Sequence, residues 1–360
     1  MSANIDFITN GQTQGDVARA FSHKLDIYAK RPYIGEDGLA YKTVFKGGDA
    51  KDIENYSREL VTNATLRKDE WKHLDEAIVP VAESRLNGVA DLISNGLVYN
   101  LGNALGTTVL TSETVSNALK ATLSMDAKRR AENDRVEFST VHLPIPIIHV
   151  DYEINERVLA SSRSLGNPLD TTMAERAARV VAEQLEAMLF TDTDYGFGGG
   201  KIYSYLNYPH RNTMQLKNAS WTNGSTTAEH IVADVLKMKQ ASIAKHFYGP
   251  WVLYIPTGYE TLMDQDYDTT RGNTLRNRIL AIAGIKDVKV VDTLIANNVI
   301  FAQMTSDVVR LVRGLPIQNV QWESEGGMVN NFKVMTIQVP QIRSDYNEST
   351  GIVHASASAE

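Results

Sequence analysis

The sequence predicts an α+β protein. Three features carry this reading. Two helical stretches bracket a charge-dense, two-stranded excursion, the part after residue 250 is rich in strands, and no strand–helix–strand unit recurs along the chain.

Residues 1–56 are weakly patterned, with Gly, Asn, Asp and Tyr scattered around short apolar clusters such as Phe21, Leu25 and Tyr28. They predict an arm that becomes ordered on a partner; an ordinary N-terminal subdomain is the alternative. Residues 57–93 predict helix, because Leu66, Trp71, Leu74, Ile78, Val81, Leu86, Val89 and Leu92 recur at intervals of three to five, with a kink or break at Pro80. Gly96, Gly102 and Gly106 then mark turns. Residues 107–111 and 135–141 read as strands, the second continuing through Ile145, Ile147, Val150 and Ile154. The span between them, including Lys128-Arg129-Arg130-Ala131-Glu132-Asn133-Asp134, mixes its charges and offers little to bury. The pair therefore predicts a long hairpin projecting from the body. Such a unit is marginal alone in water and makes sense lying on another subunit.

Residues 170–191 give the clearest helix. Thr172 to Glu175 has the spacing of a capping box. Met173, Ala177, Val180, Val181, Leu185, Met188 and Leu189 form an apolar stripe, and Glu175, Arg179 and Glu183 are spaced for i,i+4 pairing. A helix over this range would span roughly 33 Å. Tyr195 to Gly200 breaks it and predicts a flexible loop, followed by a polar segment over 210–225. Thr226-Thr227-Ala228-Glu229 again resembles a capping box and opens a helix to about His246. Trp251-Val252-Leu253-Tyr254-Ile255 is a buried-type strand stopped by Pro256. Short helices around 259–263 and 273–283 precede strands at 287–291, 298–304, 307–313, 317–322 and 331–343. The last alternates Phe332, Val334, Thr336 and Gln338 with Lys333, Met335, Ile337 and Val339, the pattern of a half-buried strand.

Composition narrows the function. Of 360 residues, 43% are apolar and 22% charged, which excludes wholesale disorder and collagen-like sequence. Lys and Arg number 36 against 43 Asp and Glu, a net charge of -7, which argues against a protein that coats nucleic acid. With no cysteine, disulfides, thiolate metal sites and cysteine nucleophiles are excluded. The start, Met1-Ser2-Ala3-Asn4-Ile5-Asp6, lacks the pattern of a signal peptide, and no apolar run approaches the ~18 residues of a membrane span. The expectation is a soluble protein used in a reducing cytoplasm, with no membrane partner.

Motifs that invite chemistry fail on spacing. Gly196-Phe197-Gly198-Gly199-Gly200-Lys201 would need Gly at 201 for a dinucleotide fingerprint. A phosphate loop ending at Lys201 would need Gly at 195 and Ser or Thr at 202, where Tyr and Ile stand. Asp264, Asp266 and Asp268 mimic the start of a calcium loop, but Thr269 and Leu275 occupy the positions of its Gly and Glu. No two of the eight histidines are spaced as in a zinc-protease motif, and no nucleophile-elbow motif occurs. Glu323 with Glu325, like Asp192 with Asp194, shows only a common spacing. No cofactor, metal site or catalytic residue is expected, and the chain is read as non-enzymatic, with a dispersed active site as the contrasting reading. Lys128, Arg129 and Arg130 predict a solvated or inter-subunit salt-bridging tip, since residues 126, 132 and 134 beside them are acidic.

Taken in order, these pieces resemble the shell-forming proteins of tailed phages with the Hong Kong 97 type capsid fold, closest to its encapsulin-like branch. Leu66-Arg67-Lys68-Asp69-Glu70-Trp71 with Leu74-Asp75-Glu76 resembles that branch's N-terminal helix. Gly88-Val89-Ala90-Asp91 and Gly96-Leu97-Val98-Tyr99 resemble its turn into the extended hairpin, and His142-Leu143-Pro144-Ile145 through Asp151-Tyr152 the strand leaving it. Ala177 to Glu183 with Glu186 and Phe190 resembles its spine helix, and Gly249-Pro250-Trp251-Val252-Leu253-Tyr254-Ile255 its central strand. Val308–Gly314 and Phe332–Ile342 are similar to its closing strands. The likeness covers roughly residues 64–355 and rests on the order and spacing of short patterns.

The resemblance implies an N-terminal arm (1–56), a peripheral domain from 57–106, 142–193 and 326–360 with its spine helix and closing strands, an extended hairpin (107–141) and an axial domain (194–325). It implies a major capsid protein that self-assembles as pentamers and hexamers into an icosahedral phage head around double-stranded DNA, which the shell touches only non-specifically. Portal and scaffolding proteins, and a decoration protein, are the implied partners. The implied location is the virion, assembled in the host cytoplasm. The alternative is an encapsulin-like compartment around a cargo enzyme. About 60 residues ahead of the first shared helix and a longer hairpin favour the phage protein. Lys120, Lys128, Arg129, Arg130 and Trp71 are the candidate inter-subunit contacts. Some family members join a hairpin lysine to a neighbour's asparagine; Lys120 and Lys128 with Asn330 or Asn331 are the residues available, with no motif around them.

Overall fold

The computed structural model describes residues 33–34, 40–45, 56–60, 87–102, 104–115, 125, 138–165, 171–268 and 273–357. Strands β1 (Tyr33–Ile34), β2 (Ala40–Phe45) and β3 (Tyr56–Leu60) come first, then helix α1 (Asn87–Ser94) and β4 (Val98–Asn100). Hairpin strands β5 (Val109–Val115) and β6 (Phe138–Pro144) precede β7 (Ile148–Asn155), α2 (Glu156–Leu165) and the long helix α3 (Thr172–Phe190). Then follow β8 (Tyr195–Phe197), β9 (Gly200–Ile202), β10 (Asn212–Gln215), α4 (Ala228–Ala244) and β11 (Trp251–Pro256). α5 (Glu260–Met263), β12 (Asp266–Asp268), β13 (Asn273–Thr274) and α6 (Leu275–Leu280) lead to β14 (Ile285–Val291), β15 (Val299–Gln303), β16 (Val309–Ser324), β17 (Val329–Ile342) and β18 (Ile352–Ser356).

Two sheets organise the body. The first has the order β4-β16-β17-β7, with β16, β17 and β7 antiparallel and β4 parallel to β16. Asn330, Phe332, Val334 and Thr336 of β17 are buried in alternation, and Phe332 stacks on Tyr152 of β7 at 5.0 Å between ring centres. From Ile337 onward every residue of β17 is buried, so the expected half-buried pattern holds only for its first half. Helix α3 packs on β7 and β17 through Ala174, Ala177, Ala178, Val181, Leu185, Met188 and Leu189. The small residues at its start let the helix approach the sheet closely.

β16 is one 16-residue strand where two are expected. Its register shifts between Arg313 and Leu315 and again before Gln318. Pro316 offers no N–H to a ladder, and a Cβ on Gly314 would lie 2.7 Å from the Cβ of Ala104. These residues interrupt the sequence pattern while the strand bulges and continues.

The second sheet is mixed and has the order β10-β18-β15-β11-β14. Every residue of β11 and β15 is buried, as a continuous apolar run predicts. One face meets α4 and α6 through Trp221, Val235, Met238, Trp251, Leu253, Ile279 and Phe301. On the other, Val252, Tyr254, Ile300 and Ala302 join the core beneath α3. β10 falls in the segment read as polar. It is held by parallel pairing with β18 and by Asn212, whose amide donates to the carbonyls of Thr350 (2.9 Å) and Ile352 (3.1 Å). Strand pairing also cuts across the expected segments: β16, within 194–325, belongs to the first sheet, and β18, within 326–360, to the second.

Several local expectations are corrected. Residues 57–60 are strand rather than helix, and β1–β3 form a small antiparallel sheet whose Tyr41 packs on the main core. The strand expected from 135 through 154 divides into β6 and β7 around Pro144 and Pro146, which lack ladder donors. Helix α3 is preceded by Thr171, whose hydroxyl donates to the Glu175 carboxylate (2.7 Å) without capping a backbone N–H. Arg179 and Glu183 pair as spaced, at 3.0 Å. Helix α4 does carry a capping box, one residue later than expected: Thr227 accepts from the His230 N–H, and His230 Nδ1 accepts from the Thr227 N–H.

Candidate assembly surfaces

The sequence-predicted contacts Lys120, Lys128, Arg129, Arg130 and Trp71 all lie outside the described residues, so their placement is not part of the geometry. The two strands on either side of four of them are described. β5 and β6 pair in unbroken antiparallel register from Val109↔Pro144 to Val115↔Phe138, as a two-stranded unit separate from both large sheets. Phe138 (66% exposed) and Val141 (47%) leave apolar surface uncovered.

The glycine-rich segment expected as a flexible loop is a β8–β9 ribbon. Gly198 (φ +60) and Gly199 (φ +79) make the tight turn that left-handed residues allow. The ribbon lies against the hairpin root so closely that side chains would not fit. A Cβ on Gly200 would sit 2.2 Å from the His142 carbonyl oxygen, and one on Gly198 would sit 2.7 Å from Val109. An Asp194–Lys201 ion pair (2.8 Å) ties the ribbon to its approach; the contact holds the Asp194 carboxyl below and the Lys201 ammonium above their ordinary ranges. Between ribbon, α3 and the β6–β7 connection lies a cavity of 270 Å³, lined by Ile147, Met188, Tyr195 and Ile202 among others.

Of the two asparagines considered for cross-linking, Asn330 is fully buried, accepting from Gln321 (3.0 Å) and donating to Glu156 (2.7 Å). Asn331 donates to the Ser324 hydroxyl at 2.7 Å.

A buried polar cluster joins the two sheets. The Glu186 carboxylate of α3 accepts the backbone N–H groups of Gly88 (2.8 Å) and Val89 (3.4 Å) at the start of α1. Burial nonetheless pushes its pKa up to about 7, against the pull of those two N–H groups. One turn along α1, Asp91 accepts from the Tyr254 hydroxyl (3.1 Å) on β11 and faces Lys289 (3.7 Å) on β14. Burial raises the Asp91 carboxyl above its usual range, with Lys289 opposing. Lys286 donates to the Asn95 amide oxygen beside it. Phe190, Tyr205 and Tyr254 pack together there, and the buried Tyr205 hydroxyl has no hydrogen-bond partner among the described residues. α1 is therefore a wedge gripped by the spine helix on one side and the second sheet on the other. Glu186 was not singled out as a functional residue from sequence; the available signal is a carboxylate four residues after Ala182 and three before Leu189, inside the apolar stripe.

Among the described residues, no three His, Asp or Glu side chains converge as a metal site, and no helix is long and apolar enough to cross a membrane.

Two packed sheets, a spine helix and a two-stranded hairpin outside both sheets define a class. The chain has the fold of Hong Kong 97 type capsid and encapsulin-like shell proteins. It is similar to a virus-like particle protein from Pyrococcus furiosus (18% identity, TM-score 0.56, 78% of this chain and 98% of that one). It is also similar to the capsid of Myoviridae phage XM1 (10% identity, TM-score 0.54, 73% of this chain and 90% of that one). In sequence it is 26% identical over 211 residues to the type 1 encapsulin shell protein of Myxococcus xanthus, which covers 57% of this chain and 66% of that protein. Within that class the chain belongs to the family of unknown function DUF6260, whose model matches residues 61–355.

Proposed function

We propose that the chain is the major capsid protein of a tailed phage. Copies of it form pentamers and hexamers that close into an icosahedral head around double-stranded DNA. The observation that carries this reading is the β5–β6 hairpin: a unit outside both sheets, held at its root by the β8–β9 ribbon, with Phe138 and Val141 exposed. Two strands alone are marginal in water, so their order is best supplied by a neighbouring copy. Segments 57–106, 142–193 and 326–360 serve as the peripheral domain and 194–325 as the axial domain at the capsomer centre, with β16 crossing into the first sheet and β18 into the second, and 1–56 as the arm that engages adjacent capsomers or a scaffold. Portal, scaffolding and decoration proteins complete the virion, which assembles in the host cytoplasm. The net charge of -7 suits a wall that DNA must slide past.

An encapsulin-like compartment around a cargo enzyme is the second reading, favoured by the 26% identity to an encapsulin shell protein. Expression of the full chain, followed by sedimentation and negative-stain imaging, tests both. Rings or megadalton shells are expected. A monodisperse 39.9 kDa monomer at high concentration, with or without scaffold, overturns both readings. Shells that co-purify with an enzyme, encoded beside a peroxidase or ferritin-like gene instead of terminase and portal genes, select the compartment.

A further inference from the structure

Arg310 opens β16, and Arg343 follows the end of β17. The register Val309↔Ile342 and Arg310↔Gln341 brings both to one end of the first sheet. Arg310 sits over the Tyr99 ring of β4, its Cζ 4.4 Å from the ring centre, and its Nε donates to Gln341 Oε1 at 2.7 Å. Buried Gln341 in turn donates to the Ser112 hydroxyl of β5 (3.3 Å), so the cluster adjoins the hairpin root. Arg343 donates from Nη1 to the Ser306 carbonyl at 3.0 Å.

No carboxylate pairs with either guanidinium among the described residues. Burial and the like charge of Arg343 both hold Arg310 below its ordinary value, with only the Tyr99 ring opposing them. Two half-buried like charges with no counter-charge among the described residues are an unfavourable arrangement. Within the described residues the Arg310 guanidinium bonds through Nε alone, which leaves its terminal nitrogens for the forked geometry that matches a carboxylate.

We infer that Arg310, Arg343 and the Tyr99 ring form a docking site for a carboxylate side chain presented by a second copy of this chain. The inference rests on the shell reading. A second copy is the fitting donor for two reasons. Acidic residues outnumber basic ones in the chain, 43 to 36. The site is also continuous, through Gln341 and Ser112, with the hairpin that the reading lays on a neighbour.

The test compares full-length wild type with R310Q/R343Q, R310K/R343K and R343Q. Circular dichroism and thermal melting check the fold, particle yield is measured by sedimentation at low and high salt, and wild-type particles are imaged at side-chain resolution. The Gln double variant is expected to melt cooperatively as a subunit and to lose particle yield by about tenfold or more, with the Lys variant, which keeps the charge but not the fork, falling between it and wild type. Wild-type yield falls at high salt, and an Asp or Glu of a neighbouring copy lies within about 4 Å of the pair in the particle. Should the double variant fail to fold, R343Q, which loses one bond to a carbonyl, carries the same comparison. Equal assembly of wild type and the Gln variants overturns the site alone. So does a particle in which the arginines face solvent, nucleic acid or a carboxylate of their own chain. A wild-type chain that forms no particle overturns the shell reading, and the site with it.

Discussion

Replacing Glu186 with Gln should flatten the dependence of subunit stability on pH. The carboxyl is 4% exposed, and burial raises its pKa from 4.5 to about 7. A folded value above the unfolded one means that the folded state holds its proton more tightly. Its stabilising contribution is complete below pH 4.5 and is lost as pH rises through about 7. At about 1.4 kcal/mol per unit, a rise from 4.5 to about 7 amounts to roughly 3 kcal/mol by pH 8. Gln keeps a carbonyl oxygen for the Gly88 N–H and has no charge to bury, so it resembles the protonated acid. Urea denaturation of dissociated subunits from pH 4.5 to 8.5 should give nearly equal stabilities at the acid end. The variant should be ahead by about 2–3 kcal/mol at the alkaline end, since the amide recovers most of the desolvation cost. The difference between the two chains removes the titrating groups that do not interact with Glu186; Asp91, whose charge helps raise the Glu186 carboxyl, is coupled to it and is part of the difference. Parallel curves across the range, or a Glu186 carboxyl resonance titrating near 4.5 in the folded subunit, would refute the reasoning.

Two further outcomes follow from the hairpin and its clamp. Gly200→Ala places a Cβ 2.2 Å from a backbone carbonyl, and should cost about 1–3 kcal/mol in denaturant unfolding and reduce particle yield. Gly196→Ala, whose nearest neighbour is 3.5 Å away, should stay within about 0.5 kcal/mol; equal effects at the two sites would dismiss the clamp. Deleting residues 107–141 should leave a subunit that still melts cooperatively by circular dichroism but forms no shells, or fragile ones, in negative stain; undiminished shells would remove the hairpin from assembly.

The elements legible in sequence are those with a long, regular apolar pattern. Helix α3 shows its stripe over five turns, and β11 is a run of apolar residues with a proline stop, buried throughout. β10 was illegible because Asn212, Thr213 and Gln215 carry no apolar alternation; its place is set by partners some 140 residues away. β16 was split by Gly314 and Pro316, which bulge the strand without ending it. The ribbon at 195–202 was read as loose because glycine signals freedom, whereas Gly200 is there for a close approach to His142. The candidate surfaces were less legible still. Arg310 and Arg343 lie 33 positions apart and become neighbours only through strand register, and Glu186 acquires its perturbed acidity only when α1 docks on it.

β18 has a consequence for how the protein is made. It lies between β10 and β15, so the second sheet cannot be completed until residues 352–356 have left the ribosome. During synthesis β10 waits without a partner, and β15 exposes an apolar edge that another nascent chain could capture. The sheet thus closes late, through long-range pairing that is intrinsically slow. An early stop between β17 and β18 would yield a sticky fragment, so synthesis acts as a timer that withholds a complete second sheet from any chain not yet carried through β18.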